Sequence, residues 1–166
     1  MDNRVYCRQH NLVPYDEFIA DLWRQEFIFI GEEDHFSQKH VRNEGIILAD
    51  LARAGSLRIA TEDISDPAYR LKRRMLQRFN SSHLSYLPSD NRQMAEQLTQ
   101  MNGKERNIAI VGSLHLAGPF SVDALVRRMC PHRRSMAVFL EDQITPNGVY
   151  RKQTPGAKEY VVAGNL

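Results

Sequence analysis

Three short apolar runs of the sequence are each followed by carboxylates or histidines. Phe27-Ile28-Phe29-Ile30 leads into Gly31-Glu32-Glu33-Asp34-His35, Arg58-Ile59-Ala60 into Thr61-Glu62-Asp63, and Ile108-Ala109-Ile110-Val111 into Gly112-Ser113-Leu114-His115. An imidazole beside carboxylates suits proton transfer near neutral pH, because an unperturbed histidine titrates at about 6.5. Hydrolysis of an ester or amide is the first chemistry this set could perform. His35 would act as general base on water, Glu32 and Glu62 would orient and charge-stabilise the imidazole, and His115 would donate to the developing oxyanion or leaving group. A metal-assisted version uses Glu32, His35 and His115 to hold a divalent ion, manganese or cobalt, with open positions for water.

Such residues act together only if the chain gathers them. The three runs read as strands buried on both faces, with a fourth at Met136 to Leu140. Between them lie helical patterns: after Pro14, from Ser37 to Ala54, from about Asp66 to Phe79, through Met94 and Leu98 behind Ser89 or Asp90, and behind a Ser121 cap. This alternation predicts an α/β fold, a mainly parallel sheet of about four or five strands with helices on both faces. All C-terminal strand ends then share one edge, the place where open parallel sheets bind ligands. Ser113 and Glu141, at the ends of the third and fourth strands, become candidates for substrate contact. The simpler reading of any one polar residue after a strand is a helix cap, as Asp34 or Ser37 could be.

Other features are read as structural. Lys72, Arg73, Arg74 and Arg78 form a solvated helix face, as do Arg127, Arg128, Arg133 and Arg134. His40 has a surface or supporting role, and His10, His83 and His132 stand in polar or basic surroundings. Asn80 to Asp90 has loop composition and could form a lid or substrate wall. Within 166 residues one compact α/β domain is expected, with a core of about 12–142 and a mainly irregular tail, 143–166, carrying a last strand at Tyr160 to Ala163.

With 22 basic and 20 acidic residues, the net charge of +2 gives no reason to expect nucleic acid as a ligand. No apolar run approaches the roughly 20 residues of a membrane span, and the polar start does not resemble a secretory signal. A cytoplasmic protein, or one exported by a specialised secretion system, is expected. Cys7 and Cys130 lack metal-type spacing.

The segments Gly31-Glu32-x-x-His35, Glu62 after its strand, and Gly112-Ser113-Leu114-His115-Leu116-Ala117-Gly118 resemble the superfamily of erythromycin esterases, ChaN-like haem-binding proteins, TraB and GumN proteins and Tiki metalloproteases. The last segment is close to the G-x-x-H-L-x-G of the TraB and Tiki branches, and the first looks more like the esterase branch. The resemblance spans roughly Phe27 to Val126 and implies a hydrolase acting on a small molecule or peptide. Arg42 is the nearest counterpart of an arginine that follows the first histidine in the esterases. The spacing after Gly31-Glu32 differs from the ChaN-like branch, so haem is the weaker implication. An effector of the same fold, acting through a host protein, is the alternative to an enzyme.

Overall fold

Residues apolar on both faces of a strand must be covered on both faces, and the apolar runs accordingly form the inner strands of one sheet. The computed structural model describes residues 5–7, 12–34, 37–62, 64–80, 84–101, 105–141, 159–163 and 166. In chain order the elements are β1 (Val5–Cys7), β2 (Leu12–Val13), α1 (Tyr15–Trp23), β3 (Phe27–Glu32), α2 (Gln38–Ala52), β4 (Leu57–Glu62), α3 (Arg70–Phe79), β5 (Ser85–Leu87), α4 (Asn91–Thr99), β6 (Arg106–Gly112), α5 (Val122–Met129), β7 (Ser135–Glu141) and β8 (Glu159–Ala163). Short 3-10 turns at Pro67–Tyr69 and Ser113–Leu116 precede α3 and follow β6.

The strands lie in the order β2-β1-β8-β7-β3-β6-β4-β5. From β8 to β5 neighbours run parallel, while β1 is antiparallel to both β8 and β2. The expected α/β class and parallel sheet are present, and the sheet is extended by β1, β2 and β5. The stretch 80–90 is therefore not simply a loop, since β5 sits within it and pairs with the end of β4. Its Ser-Tyr-Leu is held by backbone pairing at a sheet edge, a contribution that hydrophobic patterning does not register.

Alternate residues of the inner strands feed two separate cores. Ile28, Ile30, Ile108, Ile110 and Val138 face Phe18 and Leu22 of α1, Ile47, Leu48 and Leu51 of α2 and Leu76 of α3. Phe27, Phe29, Ala109, Val111 and Phe139 face Met94 and Leu98 of α4 and Val122 and Val126 of α5. Helices α1 to α3 thus cover one face, and α4 and α5 the other. Ser37 Oγ accepts from His40 N at 3.4 Å and Asp90 Oδ1 from Gln93 N at 2.9 Å, so both helices begin on side-chain caps. Ser121 stands at the start of α5, but its hydroxyl makes no cap bond, contrary to the expectation. Among the described residues no helix is long and apolar enough to cross a membrane.

Two local devices shape the C-terminal edge. A Cβ on Gly31 would lie 2.9 Å from Leu116 Cδ1 and 3.3 Å from Ser113 Cα, so the glycine lets the turn after β6 close onto the end of β3. Beside β4, where β5 does not reach, Asn80 Oδ1 accepts the Ile59 N–H at 2.9 Å. Asn80→Ala strands that donor and is expected to cost about 1–3 kcal/mol in urea unfolding. A loss under about 0.5 kcal/mol would mean that water replaces the amide.

Candidate functional site

Strands β3 and β6 are neighbours, yet α2 and α5, which follow them, lie on opposite faces of the sheet. Their C-terminal ends consequently border an open crevice, with β4 on the far side of β6. Glu62 closes β4. One carboxylate oxygen, Oε2, accepts the Gly112 N–H at 2.7 Å, and the other, Oε1, accepts from His115 Nε2 at 2.7 Å. The first bond ties the carboxylate to the end of β6, and the second ties it to the turn that follows. His115 Nδ1 lies 2.5 Å from Asn91 Oδ1. Asn91 Nδ2 donates to the Phe120 carbonyl at 3.0 Å, which directs Oδ1 toward the ring. Each ring nitrogen thus has an oxygen within hydrogen-bond distance.

His115 and Glu62 are 24% and 22% exposed at their side chains, so the pair stays in reach of solvent. The ring also lines an open groove of about 770 Å³ between α4, the turn after β6 and α5. Its walls include Leu114, Phe120, Leu125 and Met129, with Arg92 and Arg128 among the polar positions. Such a volume suits a drug-sized ligand. Ser89, from the stretch expected to form a substrate wall, also lines it.

Deeper in the protein lies a second group. Glu32 at the end of β3, Glu44 of α2 and Lys72 of α3 are all buried, at 2%, 0% and 2% exposure. Lys72 Nζ bonds Glu32 Oε2 and stands 3.5 Å from Glu44 Oε1. Lys72 is thus not part of a solvated basic face. It stands four residues before Leu76, on the side of α3 that packs inward, and it enters as a counter-ion. Burial and then the Glu32 charge hold the Glu44 carboxyl well above its ordinary value, against the pull of Lys72. Burial alone would lower Lys72, but Glu44 and Glu32 outweigh it and leave the ammonium raised.

A carboxyl raised on folding contributes stability that is complete below its unfolded value, 4.5, and is lost as the pH climbs through the folded value. Glu44→Gln removes that proton linkage. The stability of the variant relative to wild type is expected to grow as the pH climbs above about 5, by up to about 1.4 kcal/mol per pH unit. A difference independent of pH in urea titrations would show Glu44 to be ionised throughout.

The structure thus brings Glu62 and His115 together and gives Glu32 a different neighbour. His35 lies outside the described residues. Ser113 is buried in the turn after β6, and Arg42 is exposed on α2. Glu141 ends β7 on the same sheet edge, with β3 between it and β6. His40 is fully buried, its Nδ1 donating to the Asp34 carbonyl at 3.1 Å, so it supports the loop after β3 and is not a surface residue. Of the expected metal set, Glu32 bonds the Lys72 ammonium through Oε2, His115 stands between Glu62 and Asn91, and His35 lies outside the described residues. Three participants escaped the sequence reading: Lys72 and Glu44, and Asn91, which stands beside the α4 cap with no motif to mark it.

The fold has a known counterpart. It is similar to ChaN of Campylobacter jejuni, a structure of cofacial haem binding, with a TM-score of 0.69 over 96% of this chain and 96% of that one, at 12% sequence identity. At that identity the likeness is one of fold. No protein-family model matches the sequence, and no curated protein matches it.

Proposed function

We propose that the chain is a hydrolase of an ester or amide bond, with the His115–Glu62 pair as its proton donor. The observation that carries this reading is the imidazole held between Glu62 Oε1 and Asn91 Oδ1 at the wall of an open groove. With Nε2 held by Glu62, Nδ1 is the nitrogen that donates to the oxygen or nitrogen that leaves, once Asn91 Oδ1 gives way to substrate. His35 remains the candidate base on water in this proposal. The likeness to ChaN supports a ChaN-like fold, and Glu32, Glu62 and His115 stand at or just after the ends of its strands β3, β4 and β6. The test is turnover of a panel of esters and peptides by wild type and His115→Ala. Turnover by wild type that the variant lacks supports the reading, and a wild type inert on the whole panel counts against it.

A second reading, haem binding, is favoured by the likeness to ChaN. Apolar walls and guanidinium groups suit a flat apolar dicarboxylate, but His115 offers no free nitrogen to iron while Glu62 and Asn91 hold it. Haemin titration checks this: a saturable shift of its visible absorption band is expected if the groove takes haem, and an unshifted band removes the reading.

A further inference from the structure

The groove beside His115 carries more information than its volume. Leu114 and Phe120 stand 66% and 69% exposed, unusually bare for large apolar residues, and Met129 lines the same groove. Contiguous apolar surface of this kind marks a place where something apolar binds. The charges around it are not balanced. Arg92 is paired with Glu96 at 3.1 Å, and the groove's carboxylate, Asp90, is engaged in capping α4 through Gln93 N. Glu62 is occupied by His115 and Gly112. Arg128 is different: its guanidinium lies 5.8 Å from the centre of the Phe120 ring and has no acidic partner among the described residues. Stacked on an aromatic wall, its planar fork is held ready for a carboxylate or another oxyanion.

From this arrangement we infer that the groove binds an apolar acid, with its hydrocarbon body along Leu114, Phe120 and Met129 and its anionic group on Arg128. The inference names a substrate class for the proposed hydrolase and rests on that reading only for the word substrate, since binding does not require turnover. A neutral ligand would leave Arg128 unmatched, and a small polar anion would leave the apolar wall in water.

Decanoate and decanol share a chain and differ in charge, so calorimetric titration of each into wild type and Arg128→Gln isolates the guanidinium. Wild type is expected to bind one decanoate at least tenfold more tightly than decanol. In Arg128→Gln the decanoate affinity should fall about tenfold, while decanol stays within twofold, which also reports that the groove is still formed. Equal affinity of the two ligands for wild type, equal losses in the variant, or no binding of decanoate overturns the inference. Charge-selective binding without hydrolysis on any ester would keep the inference and remove the hydrolase.

Discussion

Lys72→Ala is expected to destabilise the protein by about 3–5 kcal/mol, among the largest effects of any single substitution outside the hydrocarbon core. The residue is buried, and its ammonium is shared between Glu32 and Glu44 on two other elements. Removing it leaves Glu32 beside Glu44 with no cation in a medium that solvates a carboxylate poorly, so at neutral pH Glu32 as well as Glu44 must carry a proton or the cluster must open to water. The loss should therefore shrink as the pH is lowered toward about 4, where protonation replaces the missing counter-ion. Lys72→Met, with Glu32→Gln and Glu44→Gln in the same protein, keeps the volume and removes every charge, and should cost less than Lys72→Ala alone. Urea unfolding of the three proteins at two pH values measures all of this. A loss below about 1 kcal/mol for Lys72→Ala would show that the cluster does not depend on its lysine.

Glu62→Gln is expected to lower kcat/KM of the proposed hydrolase by about 10² to 10⁴, with stability changed by less than about 1 kcal/mol. Glutamine can still accept the Gly112 N–H through its amide oxygen, so the end of β4 stays anchored to β6. Its NH₂ group then faces His115 Nε2, which must give up its hydrogen to accept from the amide. The ring loses its negative neighbour and is held as a neutral imidazole, whose remaining N–H at Nδ1 is a far weaker acid than that of an imidazolium. The same exchange of carboxylate for amide behind a catalytic histidine acts through tautomer and charge in serine proteases. Unchanged kinetics in a folded Glu62→Gln protein would reduce Glu62 to an anchor for the Gly112 N–H.

Much of this arrangement can be read in the sequence, and the parts that cannot have physical reasons. Phe27 to Ile30 and Ile108 to Val111 announce central strands because nothing polar interrupts them, and topology alone then carries Glu62 and His115 to one edge. Lys72 was legible in principle. It shares a helix face with Leu76, but it sits in a run of arginines whose charge suggests solvent, and only the carboxylates of β3 and α2 make an inward lysine affordable. Asn91 gave no signal because its role depends on α4 reaching the turn after β6, a distance set by packing and not by spacing. That Arg128 has no acidic partner among the described residues is visible only once Arg127 is seen to hold Asp123 at 2.8 Å and Arg92 to hold Glu96. β5 escaped because three residues of backbone pairing leave no periodic trace.

The position of β8 bears on the order in which the molecule can assemble. It is the last of the described strands in sequence, yet it sits inside the sheet, between β7 and β1. While the ribosome is still producing the residues before it, β7 presents an open edge and the hairpin of β1 and β2 has no sheet to join. The long separation between Val5 and Val162, which pair directly, is expected to make this closure slow. Until it occurs, the nascent chain exposes unpaired backbone along β7, the kind of template on which two incomplete copies can pair with each other.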